Sequence, residues 1–212
     1  MPTPFKFIGE TEAQRIDVGS TVELERGGHV TPLAEETLRA RRVTVVRAGS
    51  VDPTLPPDLA PAAVVTRIAI GSDHTGLALK SALISHIRKA GKAVEDHGTN
   101  GPDVVDYPDV AAAVARAVAR READAGIVID GGGLGSAMAA NKVRGVRAAM
   151  CQNVTLARYA REHIGANVLT LGSTIVSTPE AIAILDAWVS TPMREARYIC
   201  RLLKVRRLED EF

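Results

Sequence analysis

From Arg67 to Val189 the chain repeats one pattern: a short apolar run, a turn, then a longer stretch with helical spacing. RIAIGS (67–72), Ala93–Glu95, AGIVID (125–130), VRAAMC (146–151) and NVLTLG (167–172) read as strands. Leu77–Ala90, the alanine-rich DVAAAVARAVARREAD (109–124), Ser136–Lys142, Asn153–His163 and Pro179–Val189 read as helices. Strands joined through helices pair in parallel, and the crossovers cover both faces of the sheet. The pattern therefore predicts an α/β fold with helices on both sides of a parallel sheet. Ligands bind such sheets beyond the C-terminal ends of the strands. That rule singles out GSDH (71–74), DGGGLG (130–135) and the segments after Cys151 and Gly172.

Ahead of this region, GSVDPTLPPDLAPA (49–62) carries four prolines and reads as a stiff extended linker. With the linker bounded at 51–64, the chain divides into a small module, 1–50, and a larger domain, 65–212. Within the module, Arg15–Leu24 alternates apolar and polar residues, which suggests short strands around Gly19. Thr31 is a good N-cap, Pro32 suits the first helical position, and Glu35 and Glu36 fall in the first turn. Val43–Val46 follows as a strand, so a strand–helix–strand extension is expected.

Composition narrows the function classes. Aromatics make up only 3% of the 212 residues, so the core is aliphatic, and the net charge of +1 offers no global pull on nucleic acid or an anionic membrane. No apolar run approaches the ~20 residues that span a bilayer. MPTPFKFIGETEAQ lacks the charged-then-apolar secretory pattern. The two cysteines, Cys151 and Cys200, have neither disulfide nor zinc spacing. A cytoplasmic protein without metal is expected, with no nucleic-acid or membrane partner.

Asp130-Gly131-Gly132-Gly133-Leu134-Gly135 permits a tight turn whose N–H groups face an anion, at the start of a helix. It fails the dinucleotide fingerprint because Ser136 stands where the third glycine belongs. Taken alone, a structural loop explains it as well. Asp73-His74 ends the first strand, where a ligand approaches, and His163 ends a helix, where a cation also complements the dipole. Arg197 and Arg201 share one helical face and can grip one phosphate; among Arg194, Lys204, Arg206 and Arg207 they also read as a solvated basic face.

In order and spacing, GSDHTG, DYP (106–108), DGGGLGSAMAANK, GVRAA, EHIGANVLTLGS and RYICR together resemble the ribose-5-phosphate isomerase B family, which includes galactose-6-phosphate isomerase subunits. The resemblance covers about Arg67 to Arg207. It implies a three-layer α/β/α sandwich with a five-stranded, Rossmann-like parallel sheet. It also implies homo-oligomers, dimer or tetramer, with active sites at subunit contacts and no cofactor. Asp73, His74 and Tyr107 match substrate-pocket residues, and His163 matches a histidine implicated in ring opening. Arg197 and Arg201, with His74, match the phosphate grip. Gly131, Gly132, Gly133, Leu134 and Gly135 match the loop whose amides stabilise an enediolate, and Asn141 belongs to the loop–helix motif.

The chain departs from the family pattern at telling places. Asp130 stands where many members have the cysteine that moves the C2 proton, and Ser136 where others have a glutamate. Asp130 is the natural replacement, although a carboxylate is a weaker base than a thiolate. Gly132 replaces a threonine, Ile164 an asparagine, and Thr174 a phosphate-binding arginine. Two functions follow: an aldose–ketose isomerase acting through a cis-enediol on ribose 5-phosphate or a related phosphorylated sugar, or a non-catalytic sugar-phosphate-binding or microcompartment assembly protein that has lost the base. The first 50 residues resemble a leader segment on some enzymes of bacterial microcompartments, which implies a shell or enzyme partner inside such a compartment; an oligomerisation arm is the plainer reading.

Overall fold

The computed structural model describes residues 4–47, 64–193 and 196–210. The expected linker, 51–64, lies outside the described residues except for Val64. The first part contains β1 (Phe5–Ile8), α1 (Glu10–Arg15), β2 (Thr21–Val30), α2 (Pro32–Ala40) and β3 (Thr44–Arg47). Its parallel sheet has the order β1-β2-β3, and α1 and α2 pack together. Ile8, Ala13, Leu24, Val30, Ala34 and Leu38 form its core.

This part is richer than strand–helix–strand. Arg15 ends a helix instead of opening a strand, because Glu12 turns its carboxylate back onto the Gly9 N–H at 2.9 Å and so caps an unforeseen turn. β2 continues past Leu24 through Gly27 and Gly28. Gly27 has φ +82°, and the pairing with β1 slips there, from Phe5 opposite Leu24 to Phe7 opposite His29. The pair marks a bulge and not an end. Thr31 caps α2 as expected, accepting from the Ala34 N–H.

The second part runs through β4 (Arg67–Ser72), α3 (Leu77–Lys89), β5 (Ala93–Asp96), α4 (Tyr107–Ala119), β6 (Ala125–Asp130), α5 (Leu134–Ala140), β7 (Ala148–Met150), α6 (Val154–Glu162), β8 (Val168–Gly172), α7 (Thr178–Ser190) and α8 (Ala196–Asp210). Its five strands are parallel in the order β5-β4-β6-β8-β7. Strand alternation sorts side chains by size. Ile68, Ile70, Ile127, Ile129, Leu169 and Leu171 face α3, α6 and α7, whereas Ala69, Val128 and Val168 face α4. The small side lets α4 sit close: a Cβ on Gly71 would stand 2.5 Å from Val110, and one on Gly126 2.8 Å from Val114.

Pairing fixes the two edges of this sheet. Asp130 is level with Gly172, and Ile129 with Ser72, at the C-terminal edge. Gly126 is level with Val168 at the other. Each helix that follows a strand, α3 to α7, therefore starts at the C-terminal edge and returns to the N-terminal one. Among the described residues, no helix is long and apolar enough to cross a membrane.

Candidate active site

At the C-terminal edge, β6 delivers Asp130, which is 5% exposed. One carboxylate oxygen accepts the N–H of Gly132 at 2.8 Å and that of Gly133; the other accepts the N–H of Ser136 at 2.8 Å. Two of the loop amides expected to meet a substrate are thus spent on Asp130 itself. α5 still has the first-turn N–H groups of Leu134 and Gly135, which have no intrahelical acceptor.

The loop is also gripped from behind. Thr170 donates to the Gly133 carbonyl at 2.8 Å, Thr174 donates to the Gly131 carbonyl at 2.7 Å, and the Ser173 N–H reaches the Asp130 carbonyl at 2.8 Å. Gly133 has φ +76°, and a Cβ there would stand 2.9 Å from the Gly172 nitrogen. Thr174, at the position of the missing arginine, is therefore a loop anchor. Thr170, a hydroxyl in an otherwise apolar strand, is a second anchor that the sequence reading did not assign.

Neighbouring elements complete this edge. Asp73 caps a short turn over His74–Gly76, accepting from the Thr75 N–H at 2.9 Å and its hydroxyl at 2.6 Å. His74 follows, with a buried Nδ1 that has no hydrogen-bond partner among the described residues. Tyr107 lies over the loop: a Cβ on Gly135 would meet its ring at 2.5 Å. Buried Lys80, which sequence reading passed over, donates to Asp96 and the Thr99 carbonyl, both at 2.7 Å. It holds Gly98–Thr99 where their main chain pairs with Ser72, just before Asp73.

Asn141 does not join this group. Its amide donates to the Ala148 carbonyl at 2.9 Å and accepts the Ala148 N–H at 2.8 Å, clipping the end of α5 to β7. Nor does Cys151 offer a replacement thiolate, since burial pushes its thiol up to about 12.

His163 stands elsewhere. It caps the C-terminal end of α6, five residues before β8 begins, and so lies at the N-terminal edge. β6 separates the two edges by roughly 17 Å of strand. There the His163 ring is sandwiched, 4.6 Å from Tyr159 and 4.5 Å from Tyr198, with the Arg201 guanidinium 5.6 Å over Tyr198. Tyr198, between the two arginines of RYICR, is a further residue the sequence reading did not assign. The side chain of Arg197 lies outside the described residues. Among the described residues, no cluster of His, Cys, Asp and Glu could hold a metal ion.

The sequence pattern described as Ribose/Galactose Isomerase matches residues 68–205. The chain belongs to that family. Ribose-5-phosphate isomerase B of Escherichia coli (strain K12) is 39% identical over 143 residues, which span 68% of this chain and 96% of that protein. The structure of Clostridium thermocellum ribose-5-phosphate isomerase B superposes with a TM-score of 0.68 at 44% identity, over 69% of this chain and 99% of that one. A Mycoplasma genitalium ribose-5-phosphate isomerase B with bound ribulose-5-phosphate gives 0.68 at 41% identity, over 70% and 99%. The five-stranded sheet and its flanking helices are thus the family fold, and the three-stranded module precedes the family match.

Proposed function

We propose that the chain is a cytoplasmic aldose–ketose isomerase of phosphorylated sugars, ribose 5-phosphate and ribulose 5-phosphate or a close relative. The carrying observation is the carboxylate of Asp130, buried in a glycine loop at the C-terminal edge of a family sheet. A carboxylate offers about four lone-pair positions, and three are filled by main-chain N–H groups. The remaining position, on the oxygen facing Ser136, takes the proton from C2 of the open-chain aldose and returns it to C1 of the cis-enediol. Charge developing on the enediolate oxygen is met by the free amides of Leu134 and Gly135. His163 assists ring opening, and Arg197, Arg201 and His74 hold the phosphate.

These groups lie at opposite edges of one chain, so the working site takes Asp130 from one copy and His163 with Arg201 from a second. Exposed Leu134 and Met138, on the outer side of α5 beside the loop, support such a contact. The α1–α2 side of the N-terminal module we assign to a shell or enzyme partner in a microcompartment, on its resemblance to a leader segment.

The test is NMR in deuterated buffer with phosphorylated four-, five- and six-carbon aldoses and ketoses. Isomer formation with deuterium entering at C2 is expected, and absence of exchange with every sugar overturns the reading. Co-expression of Asp130→Asn with His163→Ala tests sharing. Random pairing in a two-fold dimer should restore about a quarter of wild-type activity, where each variant alone is nearly inactive.

A further inference from the structure

We propose that the N-terminal module braces α8 and thereby sets the phosphate-binding half of the site. This rests on the isomerase reading for the role of Arg201, while the contacts themselves do not. α8 packs against β2 and β3 of the module. Strand alternation shows which face is involved. Val45 points into the core shared with α1 and α2, so Val46 points to the opposite face, yet it is 0% exposed.

Among the described residues, hydrogen bonds and ring contacts tie α8 to the isomerase domain near both of its ends. At the start, the Tyr198 ring packs tilted against His163 at 4.5 Å. At the finish, the Glu209 carboxylate accepts the Gly145 N–H at 3.1 Å, and its carbonyl accepts from Arg144 at 2.7 Å. Between these points the buried Ile199 and Leu202 form a cluster of their own, separate from both cores of the five-stranded sheet and from the α1–α2 core of the module, on the helix that packs against β2 and β3. A helix of this length needs tertiary packing to hold its place, and the module supplies it. Arg201 lies in that middle stretch, on the exposed side. The module therefore fixes where the guanidinium stands relative to His163. The family match begins at residue 68, and the Escherichia coli and Clostridium thermocellum relatives are covered over 96% and 99% of their length without the module. The brace is an addition of this chain.

Val46→Asp, made in the full chain, places a charge on the braced face. Expected is a rise in KM of about tenfold, close to the loss of one charge-assisted phosphate contact. Competitive inhibition by inorganic phosphate should weaken by the same factor, with kcat within about twofold. Val46→Ile should restore wild-type values. If Val46→Asp does not fold, Thr44→Arg serves: it lies on the same strand face at a partly exposed position, opposite the basic α8, and should shift KM and phosphate inhibition in the same direction. A folded variant that keeps wild-type KM and phosphate inhibition overturns the brace, as does a fall in kcat without a change in KM. A wild-type protein that isomerises no sugar phosphate overturns the isomerase reading instead; phosphate binding by calorimetry still tests the brace.

Discussion

The two edges of the five-stranded sheet hold their functional residues by different means. At the C-terminal edge, Asp130, Asp73 and the glycine loop are tied by main-chain hydrogen bonds, and Thr170, Thr174 and Lys80 support them from behind. Few of those groups can move without leaving a buried donor unpaired. At the N-terminal edge, His163 is held by ring contacts, stacked on Tyr159 and tilted against Tyr198, and Arg201 lies over the outer ring. Stacked rings slide at small cost, whereas buried hydrogen bonds break at large cost. On the proposed roles, proton transfer at carbon, which needs fixed geometry, falls to the rigid edge, while ring opening and the arginine part of the phosphate grip fall to the adjustable one.

The largest effect should come from removing the rigid edge's carboxylate. Asp130→Asn is expected to lose ~10²–10⁴-fold in turnover, the range of general-base catalysis, with KM little changed. Rates of deuterium entry at C2 measure this directly. Asp130→Cys separates base from anchor. A thiolate there still moves the proton, but the amides of Gly132, Gly133 and Ser136 lose their acceptor. That variant should keep measurable exchange while losing about 1–3 kcal/mol of stability. If Asp130→Asn turns over like wild type, the rigid edge does not contain the base.

Much of this edge was legible in the sequence. Apolar runs of five or six residues placed β4, β6 and β8, and the run of glycines after Asp130 marked the loop. What one sequence hides is how donors are allotted. Nothing in DGGGLGS says that Gly132, Gly133 and Ser136 turn inward to Asp130 while Leu134 and Gly135 do not. Nor does AANK say that Asn141 spends its amide on Ala148. The position of His163 was implicit, because a helix between parallel strands must return to the opposite edge. Reading that required the strand order and not the motif alone.

Next in size is a glycine contrast within the same loop. Gly133→Ala combines a positive φ with a Cβ 2.9 Å from the main chain of Gly172, which cannot yield. A loss of roughly 1–3 kcal/mol is expected from the backbone conformation alone, read as a lower midpoint in denaturant. Gly135→Ala collides instead with the Tyr107 ring, the movable end of a side chain. It should leave the midpoint nearly unchanged and raise KM a few-fold, at a cost of about 1 kcal/mol. Equal stability losses in the two variants would erase the distinction between a loop locked by main chain and a ring resting on it.

The smallest effect tests whether the N-terminal edge has any rigid point of its own. Asp124 supplies one. Its carboxylate accepts from the Thr66 N–H and hydroxyl at 2.9 and 2.7 Å and from the Arg67 N–H at 2.9 Å, pinning the start of β4; Arg67 also pairs with it at 2.8 Å. Burial pushes this carboxyl up, but the hydrogen bonds from Thr66 and Arg67 together outweigh it and hold it well below its ordinary value near 3.8. Because folding lowers the value, the anchor contributes fully above about pH 4 and is lost as pH falls below that range. Arg67 is half exposed, so its share is screened, and Asp124→Asn should cost about 1 kcal/mol at neutral pH. Denaturant midpoints of wild type and variant should therefore differ at pH 7 and converge in acid. A gap that does not narrow between pH 4 and pH 2 would mean that shape, not charge, holds β4 at this edge, and the N-terminal edge would then lack any ionic anchor at Asp124.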